Sequence, residues 1–195
     1  GTNSPNNGAY NSEAAIHAYY KLLNCGFRLG LTAGTDYPCN NNEPFGTLLT
    51  YVQVKDRDLT YFKWIEGIKN GRTVVSRNGH NEFIEMKVNG IYGPGDEIKM
   101  KAKGTVSLEV KWTAVKELSG RIELVCNGKV IASQEGNVKP GEPIILKASK
   151  EFTTSGWICA RRMDANGHQT HSAPVYVTVN DKPVRASAED AQFFI

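Results

Sequence analysis

The chain contains few residue arrangements able to do chemistry, and the first of them is a single aspartate. In FRLGLTAGTDYPCNN, residues 27–41, Phe27, Leu29, Leu31 and Ala33 alternate with Arg28, Gly30 and Thr32 until Gly34-Thr35-Asp36 break the pattern. The alternation predicts a buried strand that runs into an exposed carboxylate. A carboxylate at a strand mouth is a common place to hold a divalent metal, but one carboxylate alone holds none tightly. The histidines that could join it, His17, His80, His168 and His171, show no H-x-H spacing. Cys25, Cys39, Cys126 and Cys159 form no C-x-x-C pair, which argues against a zinc ribbon or a thioredoxin-like site. No serine stands in a G-x-S-x-G context, and Gly93-Pro94-Gly95-Asp96 lacks the Lys-Ser/Thr of a phosphate loop.

Each candidate has a plainer reading beside the chemical one. Asp36 can cap its loop by accepting backbone N–H bonds. His171, in Thr170-His171-Ser172-Ala173-Pro174, can reach toward a metal site, although a lone histidine before a strand is more often a hydrogen-bonded structural residue. Arg161 and Arg162 follow Trp157-Ile158-Cys159-Ala160, so alternation turns one of them inward, where Asp164 or Asp190 can neutralise it. The cysteines read mostly as plain core residues, although Cys126 and Cys159 both fall in predicted strands and could meet across a sheet as a disulfide. Trp64, Trp112 and Trp157 do not cluster as a sugar platform would require, and core packing is their usual fate.

The elements that must position these residues change character along the chain. Residues 1–11 are polar and rich in turn formers. A helix is predicted from Ser12, with Ile16, Tyr19, Tyr20 and Leu23 on its apolar face and Gly26 as its stop. After strand 27–33 comes an apolar strand at 48–54. A second helix follows, capped by Asp58 or Thr60, with Leu59, Phe62, Ile65 and Ile68 at three-residue spacing, and then a strand at 72–76. From residue 78 to about 180 every segment reads as strand and turn: Ile98, Met100 and Ala102 alternate with lysines, Val106–Trp112 repeats the pattern, and Asn127-Gly128 is a two-residue hairpin signal. Ser187–Ile195 reads as a capped helix. The predicted architecture is therefore α/β plus all-β. Residues 1–77 are α/β elements of a parallel sheet or barrel, incomplete in this chain, 78–181 form an antiparallel immunoglobulin-like β-sandwich, and 182–195 are a tail with a helix. Two or three strands with two helices cannot close a barrel, so a larger N-terminal portion is expected upstream.

Composition excludes several functions. At 195 residues the chain can bury a genuine core. Its charge of only +3, with 23 basic residues scattered among 20 acidic ones, does not build a nucleic-acid surface. No apolar run approaches the ~20 residues of a membrane span. An extracytoplasmic location is favoured over a cytoplasmic one.

Several blocks in one order carry a resemblance: YYKLLNCGFRLGLTAGTD, WIEGIKNGRTVVS, VNGIYGPGDEI, IELVCNGKVI, SGWICARR, THSAPVYVTV and DAQFF. From about residue 18 to its end the chain resembles the C-terminal half of the CehA/McbA-like metallohydrolases of the PHP superfamily. The resemblance implies a PHP-type (β/α) barrel followed by a sandwich, with His, Asp and Glu at the strand ends holding two or three divalent ions, Zn, Mn or Fe. Such ions lower the pKa of bound water for hydrolysis of a phosphoester, a carbamate or an amide. Asp36 falls where the family places a late metal ligand, whereas the family's early H-x-H has no counterpart here. Where many relatives follow that aspartate closely with a histidine, Tyr37-Pro38-Cys39 stand. The expectation is a C-terminal portion of a metal-dependent hydrolase, silent and metal-free by itself, whose partners are the missing N-terminal barrel portion or, failing that, a second copy in a homo-oligomer. The alternative is a noncatalytic β-sandwich that binds a glycan or a protein.

Overall fold

A computed structural model describes residues 12–39, 44–55 and 59–195. The elements are α1 (Ser12–Asn24), β1 (Leu49–Val52), α2 (Tyr61–Lys69), β2 (Thr73–Ser76), β3 (Glu82–Val88), β4 (Glu97–Met100), β5 (Gly104–Ala114), β6 (Leu118–Cys126), β7 (Lys129–Val138), β8 (Ile144–Phe152), β9 (Gly156–Asp164), β10 (Gly167–Ser172), β11 (Val175–Val179) and α3 (Ala188–Gln192). The expected leader, residues 1–11, lies outside the described residues.

Strands β3 to β11 pack as two layers. One sheet runs β3-β5-β8; the other carries β6 and β7 on one side of β9 and β10 and β11 on the other. All pairs are antiparallel except β4 with β11. Alternation decides which residues meet between the layers. Ile84, Met86 and Val88 from β3 and Val106, Leu108, Val110 and Trp112 from β5 face Ile122, Leu124, Ile158, Val175 and Val177 from the other sheet. The Asn127-Gly128 turn joins β6 to β7, with both residues at positive φ (49° and 82°), as a primed hairpin turn requires. An antiparallel β-sandwich is thus the main body of the fold.

The N-terminal segments add to this sandwich. β1 and β2 form an antiparallel pair connected through α2, and β2 pairs with β10, which extends the larger sheet. Neighbouring strands of a (β/α) barrel run parallel, whereas β1 and β2 run antiparallel. Helix α1 lies over the outer face of that sheet. There Tyr19, Tyr20 and Leu23 pack with Val125, Trp157, Cys159, Tyr176 and Val184 in a second core.

One sequence expectation needs correction, and two points that the sequence left open are settled. Residues 27–33 are extended but join no ladder: Phe27 and Leu29 are exposed, and Ala33 bonds through both N–H and C=O to the Thr50 hydroxyl (2.8 and 2.9 Å) in place of a strand partner. Gly30 is where this segment crosses the end of α2, since a Cβ there would stand 3.1 Å from Gly71 Cα. Helix α2 begins at the Thr60 cap as expected, but its Leu59, Phe62 and Ile65 face solvent, and Gly67, against Val52, is its one buried residue. Finally, Cys126 and Cys159 are both free. The β6–β9 register sets Cys126 opposite Ile158 and Cys159 opposite Val125. The one-residue offset turns Cys126 into the inter-sheet core and Cys159 out beneath α1.

Candidate functional site

Asp36 follows the buried Thr35, has φ +56°, and precedes a cis Tyr37–Pro38 bond. Positive φ is uncommon outside glycine, and aspartate is among the residues that tolerate it best. Its carboxylate is exposed and makes no hydrogen bond or ion pair among the described residues, so no loop-capping bond occupies it. The adjoining Tyr37 ring meets Phe45 edge-on, 6.1 Å between centroids.

His171 lies in the opposite kind of environment. It sits on β10, is buried beneath α1, and both its ring nitrogens are engaged: Nδ1 with the Ser172 carbonyl and Nε2 with the Tyr20 hydroxyl, each at 2.7 Å. The carbonyl can only accept, so Nδ1 carries the proton and Nε2 accepts from Tyr20. No lone pair is left for a metal in this arrangement. Burial, with the neighbouring His168 second, pushes the His171 pKa down to about 3. Burial also pushes the Cys159 thiol, 3.8 Å from Nε2, up to about 12, so this Cys–His contact holds a thiol and not a nucleophilic thiolate. The structure makes no contact between Asp36 and His171, and no group of three or more His, Cys, Asp and Glu able to hold a metal occurs among the described residues.

The arginine pair resolves into two buried networks. Arg162 points inward to Asp164 (2.8 Å), the Ser119 carbonyl (2.6 Å) and Glu82 (3.4 Å), so Asp164 is the partner that alternation called for. Arg161 points outward to Glu123 (2.6 Å), while Asp190 pairs with Lys21 (3.1 Å). Glu82, which no motif marks, accepts bonds from Trp112, Thr170 and Asn78. Both arginines are thus committed to holding the sandwich together.

What stays uncommitted is apolar. Tyr61, Phe62, Trp64 and Ile65 on α2, with Leu59 before it, are all exposed, Phe62 at 80% and Leu59 at 71%. Leu29 flanks the C-terminal end of this helix in a small pocket with Lys69 and Asn70. The three-residue spacing at 59, 62, 65 and 68 announced a helix face, but periodicity cannot say whether a face is covered within the chain. A cleft of about 710 Å³ lies between the β1–β2 pair and β3, lined by Tyr51, Gln53, Phe83, Ile91 and the ion-paired Lys55 and Asp96.

No protein-family model matches the chain, and no curated protein matches it. Solved structures do. The solution structure of a CARDB domain from Pyrococcus furiosus aligns with 53% of this chain and 99% of its own length, at 17% identity and a TM-score of 0.35. A crystal structure of that domain in complex with di-metal ions aligns with 51% of this chain and 87% of its own, at 16% identity and a TM-score of 0.32. An engineered protein aligns with 50% of this chain and 20% of its own, at 12% identity and a TM-score of 0.27. No helix among the described residues is long and apolar enough to cross a membrane.

Proposed function

We propose that the chain is a noncatalytic β-sandwich module that binds a protein surface through the exposed face of α2. One observation carries this reading: a helix presenting Tyr61, Phe62, Trp64 and Ile65 to solvent while only Gly67 is buried. Exposed apolar patches of contiguous large side chains mark interaction sites, and Trp and Tyr are the residues most enriched where binding energy concentrates. At ~200 Å² per aromatic side chain, Tyr61, Phe62 and Trp64 alone expose roughly 350–400 Å², about half of one partner's share of a standard interface. The rings contact one another edge-on or tilted and leave no flat sugar-stacking platform, which favours a protein over a glycan. The test is the affinity of wild type and Phe62→Glu for a purified partner identified by crosslinking at this helix. A loss of tenfold or more supports the reading, and an unchanged affinity rejects it.

A second reading keeps the resemblance to PHP-type hydrolases, and Asp36 favours it: an exposed, unpaired carboxylate on a left-handed residue is free to join ligands from elsewhere. In that reading α2 docks on further α/β elements of the same polypeptide, and Asp36 supplies one ligand of a divalent metal. Elemental analysis of the full-length protein tests it. Bound Zn, Mn or Fe that is lost in Asp36→Ala supports the hydrolase, and metal content unaffected by Asp36→Ala removes it.

A further inference from the structure

The face of the larger sheet beneath α1 contains an unusual density of cationic or protonatable groups for a buried surface. His171 and His168 on β10 lie 6.2 Å apart by ring centroid, and both are buried. From β9, Arg161 and Cys159 face them; from α1, Tyr19 and Tyr20 cover His171; Arg77, after β2, also acts electrostatically on His168. The carboxylate bonded to Arg161 is Glu123 on β6, which Arg121 already shares at 2.5 Å. His168 Nδ1 is buried without a hydrogen-bond partner.

The hydrogen-bond directions make this surface sensitive to protons. His171 Nε2 accepts from the Tyr20 hydroxyl, and the same hydroxyl receives Arg161 Nη1 at 3.5 Å. Adding a proton to Nε2 reverses this bond, so that the Tyr20 oxygen must accept from an imidazolium as well as from the Arg161 guanidinium, with no unshared carboxylate to compensate. The remaining anchors of α1 do not titrate in the same range. Asn24 accepts from Trp157 Nε1 (2.8 Å) and donates to Asp190 (2.7 Å), and Asp190 itself is held below the usual carboxylate range by Asn24 and Lys21.

We propose that α1 is an acid-labile latch: protonation of His171 beneath it, with His168 alongside, releases the helix from the sheet, uncovering Trp157 and Tyr176, while the two-layer sandwich stays folded. Burial holds His168 near 4 and His171 near 3 in the docked state, against 6.5 for a free imidazole. Docking is therefore strongest above pH 6.5 and weakens as pH falls toward those values. By linkage His171, returned to 6.5 on release, weakens it about 30-fold at pH 5. The sandwich core between the sheets contains no histidine and is indifferent to this change.

Hydrogen exchange read by mass spectrometry at pH 7 and pH 5, scaled for the intrinsic exchange rate, tests the latch on the chain as it stands. The expected result is loss of protection over 12–24 at pH 5, with β5 and β6 unchanged, and a flattened pH dependence in the His168→Gln/His171→Gln double variant. Equal protection of α1 at both pH values overturns the proposal. So does loss of protection in β5 and β6 together with α1, which is global acid unfolding.

Discussion

Arg162 Nε and Glu82 Oε2 stand 3.4 Å apart across the two layers of the sandwich, β9 to β3, and neither side chain has meaningful contact with solvent. The pair is an electrostatic contact, since Nε itself makes no hydrogen bond. The guanidinium also lies over the Trp112 ring, 5.1 Å to its centroid, and Trp112 donates to the same carboxylate. Glu82 thereby ties together β3, β5, β9 and β10.

Removing one member of such a buried pair leaves the other uncompensated, which typically costs about 3–5 kcal/mol. Glu82→Ala should lose stability of that order in urea unfolding. Arg162→Met combined with Glu82→Gln should cost less than the sum of the two single changes, because the pair is removed as a unit.

Burial, rather than oxidation, governs the cysteines. Four thiols should titrate in the denatured protein under non-reducing conditions. In the native protein at pH 8 an alkylating reagent should modify the exposed Cys39 readily and spare Cys126 and Cys159, whose thiols burial pushes up to about 11 and about 12. A mass two units below the fully reduced value would indicate a disulfide and contradict the register.

Glu97 on β4 is held down at about 2, first by its hydrogen bond from Arg28 (2.5 Å) and then, against the opposing effect of burial, by Thr178. A carboxyl lowered from 4.5 contributes stability above that pH and loses it as pH falls toward 2. Arg28→Gln should move the Glu97 titration upward in carbon-detected NMR. The stability effect should be small, because the Arg28 side chain is half exposed.

The sandwich was largely legible in the sequence, and so were α1, β1, α2 and β2 as local elements, but not the way those first elements pair and pack. Alternation at 98–102, 106–112 and 175–179 and the Asn127-Gly128 turn report local geometry that both neighbours reinforce, and the strands followed. The segment 27–33 shows the same alternation, yet a strand also needs a free edge beside it, and here only the Thr50 hydroxyl meets Ala33. The choice between a Cys126–Cys159 disulfide and two plain core cysteines stayed open in the sequence for a related reason: the one-residue register that parts their faces is a property of two strands together. At the candidate site, Asp36 stood out by its place at the end of an apolar run. Glu82 did not, since its role depends on Arg162 and Trp112, 80 and 30 positions away in sequence.

The apolar face of α2 should tolerate charge without loss of fold. Phe62→Glu is expected to change unfolding free energy by no more than about 0.5 kcal/mol, because the side chain is four-fifths exposed, the Thr60 cap bond to the Lys63 N–H does not use it, and a carboxylate in the first turn of a helix suits its dipole. A loss of several kcal/mol would show that this face is packed within the chain.

The most direct test of the account is a photo-crosslinking residue placed at position 62 in the full-length protein in its native cells, with position 145 on the opposite sheet as the control. The account predicts a specific crosslink to another protein at 62, absent at 145 and competed by excess purified chain. No crosslink beyond the control, or one confined to the same polypeptide, would contradict a protein-binding module, the latter in favour of the hydrolase reading.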